Sequence, residues 1–153
     1  MGKTLSPHHA ELADVATVDD ALALVRARGG RATPSRRILL EVLFEAPRRH
    51  MTAEELAQAV RVRAPDVHLS TIYRNLEELE RLGVVVHTHL GHSASAYQLA
   101  SSAHGHFLCE ECGKTIEVPD ALFNELTRSA TAEFGFSVNP HHFAILGRCA
   151  DCS

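Results

Sequence analysis

The chain has 153 residues, a net charge of −4 and 45% apolar residues, values typical of a soluble globular protein with one domain or two small ones. It contains no run of about 18 apolar residues, so the sequence predicts no membrane-spanning helix. The first twenty residues lack the apolar core of a secretory signal, which favours a cytoplasmic protein.

Three segments near the start have the apolar periodicity of helices. The first, VDDALALVRARG, ends at the glycine pair 29–30. The second, TPSRRILLEVLFEA, has Thr33 as its N-cap and Pro34 at its first helical position. The third, TAEELAQAVRVRAP, begins with a capping box formed by Thr52 and Glu55.

A fourth helix, STIYRNLEELERLG, is predicted from Ser70 to Gly83, and two short strands follow it. Its inward stripe contains Ile72, Leu76 and Leu79. The segments VVVHTHL and SAYQL have strand character and would form a hairpin around Gly91. Helices followed by a hairpin indicate a winged helix-turn-helix.

The basic residues of this half suggest double-stranded DNA as a partner. The segment RARGGRATPSRR contains five arginines and no acid, which suits phosphate contact. In a winged helix the fourth helix would enter the major groove with its first turns. The side chains predicted to face DNA there are Ser70, Thr71, Tyr73, Arg74 and Asn75. The alternative is an amphipathic helix whose polar face meets only water.

Histidines are concentrated in the middle of the chain, where five of the eleven lie between residues 87 and 106. His87 and His89, in the stretch HTHLGH, are two residues apart on a predicted strand. They would therefore share one face at a spacing of about 7 Å and could present both imidazoles to one ion. The alternative is that they are exposed side chains of the wing that bind no ion.

Two CxxC pairs give the most specific signal in the sequence. The four cysteines are Cys109, Cys112, Cys149 and Cys152, and 36 residues separate the pairs. Each two-residue gap lets both sulfurs face one ion, so the pairs together predict a tetrahedral structural Zn²⁺ site. Disulfides are the alternative, which a cytoplasmic location disfavours.

The segments between the two cysteine pairs predict a small α/β domain. KTIEV and HHFAILGRC have strand character, and PDALFNELTRSATAEFG is a helix with Pro119 at its start. A domain of about 50 residues has too little core, which favours a homodimer. We therefore predict an α+β fold with a winged-helix DNA-binding domain over residues 1–100, of which 1–18 form a flexible tail. A dimerisation and metal-binding domain would follow over 101–153.

These motifs together resemble the ferric-uptake-regulator family of metal-sensing repressors. The resemblance covers roughly residues 20–153 and is carried in order by GGRATPSRR, HMTAEELAQAV, LSTIYRNLEELERLG, HGHFLCEECGKTIEV, FGF and HHFAILGRCADC. It implies a hinge near residues 100–103 and a metal site beside it that fixes the DNA-competent orientation. It also implies DNA contacts from Arg31, Tyr73 and Arg74, whereas Ser35 stands where the family usually has glutamine.

The resemblance also implies ligands for a regulatory metal at the hinge. They are His50, His104, His106 and Glu117. Gln98 stands where iron, manganese and peroxide sensors of the family have an acid, which shifts the site towards nickel or zinc. A further site of some members lacks its ligands here, since Ala103, Gly105 and Asn124 occupy their places.

The wing histidines are most similar to the nickel-responsive branch of the family, in which His142 would join His87 and His89 as the third ligand. The zinc-responsive branch would have an acid near Val86 and a cysteine near Ala100 instead. The resemblance thus implies a repressor of metal-homeostasis genes with a divalent metal as corepressor. Nickel is favoured, and Zn²⁺, Fe²⁺ and Mn²⁺ are the alternatives.

Three other classes of protein explain fewer of these motifs. A zinc hydrolase would need an open metal position and an acid–base glutamate, and the HExxH motif does not occur. A redox protein could use CxxC, but two matched pairs favour a closed and inert site. We predict that the protein is not an enzyme; a zinc-stabilised adaptor that does not bind DNA remains the third alternative.

Overall fold

The computed structural model describes residues 12–90, 94–139, 141–142 and 144–153. The chain forms two compact units. The first comprises Met1–Val86 and Tyr97–Ser102, and the second comprises His87–Ala96 and Ala103–Ser153. None of the helices in the described ranges is long and apolar enough to cross a membrane.

The first unit contains four helices, at the places that the periodicity predicts. They are α1 (Val18–Ala27), α2 (Pro34–Glu45), α3 (Ala53–Arg61) and α4 (Leu69–Arg81). The hydroxyl of Thr33 accepts a hydrogen bond from the backbone of Arg36. Thr52 and Glu55 form the predicted capping box at the start of α3. These local contacts satisfy amide groups that would otherwise lack partners in the first turn.

Helix α4 differs from its prediction only at its start. It begins at Leu69 with His68 as N-cap, so Ser70 lies inside the first turn and does not cap the helix. The predicted stripe of Ile72, Leu76 and Leu79 is fully buried. The helix ends before Gly83, whose φ of 72° is a left-handed conformation that favours glycine.

The segment before α1 is packed, although the sequence predicts a flexible tail over 1–18. The backbone N–H of Ala13 donates to the carbonyl of Gly83 at 2.9 Å. Val15 is buried in the core, and Thr17 caps α1. The predicted tail is therefore wrong from Ala13 onward, because one apolar side chain and one backbone hydrogen bond hold this segment; residues 1–11 lie outside the described part.

Three short strands complete the winged helix. They are β1 (Met51–Thr52), β2 (Val85–Thr88) and β3 (Ala96–Leu99), in the order β1-β3-β2. Strand β1 has only two residues, too few for a period-2 pattern, and the sequence did not predict it. The predicted turn at Gly91 lies outside the described residues. Helices followed by this sheet confirm the predicted N-terminal fold.

The second unit is a small α/β structure, as predicted. It contains β4 (Gly105–Cys109), β5 (Thr115–Val118), α5 (Asp120–Phe134) and β6 (Ala144–Gly147). The strand order is β5-β4-β6, with β4 antiparallel to β5 and parallel to β6. Because β4 and β6 are parallel, their last residues Cys109 and Gly147 are paired at one edge. The predicted α+β fold with a separate C-terminal domain is therefore confirmed.

Candidate metal centres

The four cysteines lie together in the second unit. Cys109 ends β4, and the second pair follows directly after β6, so the parallel pairing brings both CxxC turns to the same edge. The four sulfurs lie within 4.8 Å of one another, and Cys112 Sγ is 3.7 Å from Cys149 Sγ. Four sulfurs at about 2.3 Å from a zinc ion would be about 3.8 Å apart. The cluster therefore fits a tetrahedral Zn²⁺ site.

The electrostatics of the cluster favour a bound cation. The backbone N–H groups of Cys112 and Cys149 donate to the sulfur of Cys109 and lower the pKa of this thiol to about 6. Hydrogen bonds with Cys112 and Cys149, followed by burial, raise the pKa of Cys152 to about 12. Four thiolates in this space would repel one another, and a divalent cation removes that repulsion.

Three histidines form a second cluster in the same unit. His87 and His89 come from β2 and the residue after it, and His142 comes from the turn before β6. The ring centroids are 5.1 Å apart for His87 and His89, 4.5 Å for His87 and His142, and 5.5 Å for His89 and His142. One ring nitrogen from each lies within 4.8 Å of the others. Small side-chain rotations would bring three nitrogens to about 2 Å from one ion.

The side chain of Ser95 supports this cluster. Its hydroxyl is 3.3 Å from Nδ1 of His89. If Nδ1 carries the proton and donates to Ser95, the lone pair of Nε2 is directed away and can bind a metal. His92, the last residue of the stretch HTHLGH, lies outside the described residues.

The predicted hinge ligands of the second unit also lie close together. The rings of His104 and His106 are 4.6 Å apart, and both residues are buried. Glu117 pairs with His106 across β4 and β5, and its carboxylate is 3.2 Å from Nε2 of His104. His50 is half-buried and belongs to the first unit. The four-residue hinge site therefore stays a prediction.

Gln98, on β3 of the first unit, is fully buried, and both polar atoms of its amide lack a hydrogen-bond partner among the described residues. A buried amide without partners costs on the order of 1–3 kcal/mol per lost hydrogen bond. Such a group fits a position beside a bound ion or water, and a neutral amide is a weaker ligand for hard cations than a carboxylate.

Most of the predicted DNA-facing side chains are accessible. Arg31, Ser70 and Arg74 are exposed, Thr71 is half-buried, and Tyr73 is 39% exposed. The hydroxyl of Tyr73 donates to Glu54 of α3 at 2.9 Å.

Asn75 is the exception among the side chains predicted to face DNA. It is buried and accepts a hydrogen bond from Nε of Arg36 at 3.1 Å. Arg36 also donates to the carbonyl of Arg31 at 2.6 Å and lies 3.8 Å from Glu78. One arginine of the basic segment therefore joins α2, α4 and the loop of Arg31, and its guanidinium is bound within the fold. The spacing of Asn75 from Ile72 and Leu79 indicates burial, but no pattern in the sequence identifies Arg36 as its partner.

Comparisons with known proteins agree with this architecture. A family model described as the ferric uptake regulator family matches residues 27–146. The chain is 33% identical over 135 residues to the peroxide-responsive repressor PerR of Staphylococcus aureus (strain USA300), covering 88% of this chain and 90% of that protein.

Solved structures are similar to the chain over most of its length. The structure of the ferric uptake regulator from Pseudomonas aeruginosa with manganese is 31% identical, with a TM-score of 0.68, over 84% of this chain and 96% of that chain. The ferric uptake regulator of Helicobacter pylori has a TM-score of 0.71 and 22% identity, over 90% of this chain and 94% of that one, which shows the fold.

Proposed function

The chain belongs to the ferric uptake regulator family, whose members are metal-responsive transcriptional repressors, and from that premise we propose that it is a nickel-responsive repressor. In this proposal a homodimer binds operator DNA of metal-homeostasis genes when the regulatory metal is bound. The cysteine cluster holds a structural Zn²⁺, which the thiolate donor set favours.

The observation that carries the nickel assignment is the cluster of His87, His89 and His142. Its three ring nitrogens lie within 4.8 Å of one another, and all three ligands are imidazoles. Imidazole suits nickel and zinc, whereas manganese prefers carboxylate oxygens. Ni²⁺ accepts tetragonal geometries, so water or a small ligand can complete the coordination shell that the three nitrogens begin. Zinc is the second candidate, because the same donors suit it.

We propose the hinge residues as ligands of a second regulatory ion. His104, His106 and Glu117 are adjacent in the second unit, and the family resemblance adds His50. The neutral amide of Gln98 makes this site less suited to Mn²⁺ or Fe²⁺ than one with a carboxylate. Metal binding raises DNA affinity if the ligands converge only in the DNA-competent conformation, because the binding free energy is then available only there.

The proposed DNA contacts are exposed side chains of the first unit. Arg31 would enter the minor groove, and the first turns of α4 would meet the major groove with Ser70, Thr71, Tyr73 and Arg74. The guanidinium groups neutralise phosphates, and the hydroxyl groups add hydrogen bonds. Specificity would then come from α4 and affinity from the arginines.

Apolar side chains of the second unit support a homodimer. Phe107 and Ile116 are paired across β4 and β5, and they remain 36% and 44% exposed. Leu122, Leu126 and Leu146 are also more than 40% exposed. This unit therefore presents apolar surface that a second copy would cover.

The test is operator binding at controlled free concentrations of Ni²⁺, Zn²⁺, Mn²⁺ and Fe²⁺. We expect nickel to activate the parent protein at the lowest free concentration. The double variant His87→Ala/His89→Ala should retain one structural zinc per chain and lose the nickel response. His68→Ala is the control for the loss of an imidazole. Because His68 is the N-cap of α4, its readout is the gain in operator affinity on adding nickel, not the absolute affinity.

Two results would contradict the proposal. An unchanged nickel response in the double variant would show that the histidine cluster is not the sensor. Activation of the parent by manganese or iron at lower free concentrations than nickel would assign the protein to another metal.

A further inference from the structure

We propose that Thr88 is a positioning residue that holds His142 against His87 and His89. This inference rests on the proposed function of the histidine cluster. It concerns a side chain that is not itself a ligand, and its contact connects two segments that are 53 residues apart in the chain.

Thr88 makes a specific buried contact with the segment that carries His142. Its side chain is fully buried, and its hydroxyl donates to the backbone carbonyl of His141 at 2.8 Å. In the strand, Thr88 lies between His87 and His89, so its side chain points to the opposite face from theirs. Residues 141–142 thus contact this part of the chain twice. The carbonyl of His141 accepts the hydrogen bond from Thr88, and the ring of His142 packs against the ring of His87.

The other polar group of the His141 backbone is also fixed. Its N–H donates to the side-chain oxygen of Asn139 at 3.1 Å. With the N–H bound by Asn139 and the carbonyl bound by Thr88, the peptide groups of residue 141 have a defined orientation. The direction of the next side chain, His142, follows from that orientation, because the backbone on its N-terminal side is held.

The expected strength of this effect follows from the geometry of metal sites. Three nitrogens must meet one ion within a few tenths of an ångström, and residues that orient ligands change metal affinity typically by about 10- to 100-fold. Without the hydroxyl, the carbonyl of His141 would lose its donor, and the segment could turn His142 away from the ion. Thr88 would then act on nickel affinity and leave the Cys₄ site unaffected.

The experiment compares Thr88→Val, Thr88→Ser and the parent in the dimeric, zinc-loaded protein. Valine keeps the shape and removes the donor, whereas serine keeps the donor. Nickel affinity is measured by competition with a chelator, and the visible absorption of bound nickel reports its ligand set. Thr115→Val, an exposed threonine of β5, is the matched control. Zinc content and the melting temperature without nickel are measured for every variant.

We expect Thr88→Val to weaken nickel binding by about 10- to 100-fold and to shift the nickel absorption, with zinc content unchanged. Thr88→Ser should bind within about threefold of the parent, because its hydroxyl can make the same hydrogen bond. Thr115→Val should match the parent. The absorption shift and the serine rescue distinguish positioning from a general loss of stability, which would not change the ligand set.

Two outcomes would overturn the inference. Parent-like nickel binding by Thr88→Val would show that the hydrogen bond does not position the ligand. Loss of zinc or of the folded dimer in Thr88→Val would show that Thr88 serves the fold and not the site. Failure of the proposed function itself is distinguishable, since the nickel-dependent gain in operator affinity would then survive in His87→Ala/His89→Ala.

Discussion

The two units of the chain are stabilised in different ways. The first unit has a core cluster of twenty buried apolar residues, to which all four of its helices contribute. In the described part of the second unit, the buried apolar residues are Ala96, Leu108, Cys109, Val118 and Phe123. This unit also exposes large apolar side chains, among them Phe107, Ile116, Leu122, Leu126, Phe134, Phe136 and Leu146.

The difference shows where external ligands matter for folding. Burial of an apolar side chain contributes on the order of 1.5–3 kcal/mol to the free energy of unfolding. We therefore expect the first unit to be stabilised mainly by its own apolar core. The second unit lacks a comparable core, so we expect a metal ion and a second copy to supply its stability.

Zinc removal should have the largest effect and should affect only the second unit. Structural zinc sites contribute on the order of 10–16 kcal/mol of apparent binding free energy, which becomes folding free energy here. We expect Cys109→Ser to lose zinc and unfold or aggregate through the second unit, while the first unit remains helical. Zinc analysis, circular dichroism and limited proteolysis would measure this.

Ser153→Ala is a suitable control for that experiment. The exposed hydroxyl of Ser153 donates to the carbonyl of Cys149, and its removal leaves all four sulfurs in place. A Cys109→Ser protein that is dimeric and melts like the parent would show that the cysteines are not structural.

A charge placed on the apolar surface of the second unit should have the next largest effect. Ile116→Asp should weaken self-association by about 3 kcal/mol or more, since a twofold interface would lose two buried side chains at about 1.5 kcal/mol each. Analytical ultracentrifugation measures the dissociation constant. Val62→Asp is the matched control, because Val62 is 84% exposed in the first unit. Equal weakening by both variants would contradict the proposed interface.

Changes to the DNA-facing side chains should leave the second unit unaffected. Arg31→Ala should reduce operator affinity by about 1–3 kcal/mol and flatten the salt dependence by about one unit, while dimer and zinc content stay unchanged. Arg128→Ala, an exposed arginine of α5, is the control with the same change of charge. Unchanged operator affinity after Arg31→Ala would remove the proposed minor-groove contact.

The smallest expected effect concerns a hydrogen bond between two helices of the first unit. A backbone hydrogen bond at Glu54 itself and, next, the hydroxyl of Tyr73 keep the pKa of the Glu54 carboxyl below its usual value. Because the pKa of Glu54 is lower in the folded protein than in the unfolded chain, the carboxylate stabilises the fold at pH values above its unfolded-state pKa. This stabilisation is lost as the pH falls through the pKa of the folded state. Tyr73→Phe should therefore raise the pKa of Glu54 part of the way, as an NMR titration would show. Identical titration curves of Glu54 in the parent and in Tyr73→Phe would mean that this hydrogen bond is not formed in solution.

Local signals in the sequence predicted most of the fold. The hydroxyl groups of Thr33 and Thr52 cap helices by accepting hydrogen bonds from amides only three residues away. A contact this local can be recognised from a short sequence motif. The cysteine spacing predicted the grouping of four sulfurs, because two CxxC turns have few other uses in one small domain.

Contacts between distant polar residues were not predictable in the same way. Asn75 follows Ile72 by three residues and precedes Leu79 by four, so the helical period places it beside the buried stripe, but only the packing of α2 against α4 brings Arg36 to it. Thr88 and His141 are 53 residues apart, so no local pattern relates them. Such contacts depend on packing between elements, which a periodicity of apolar residues does not encode.

The parallel pairing of β4 with β6 has a consequence for synthesis on the ribosome. Cys109 and Cys149 are 40 residues apart, so at about 5–20 residues per second the first CxxC pair is made roughly 2–8 s before the second. Until β6 has been made, β4 can pair only with β5, and its other edge has no partner. The first CxxC pair then has no second pair with which to share a metal ion. A chain in which β6 has not yet paired with β4 exposes an open strand edge and free thiols, so we expect chaperones and reduced thiol buffers to raise the yield of the folded protein.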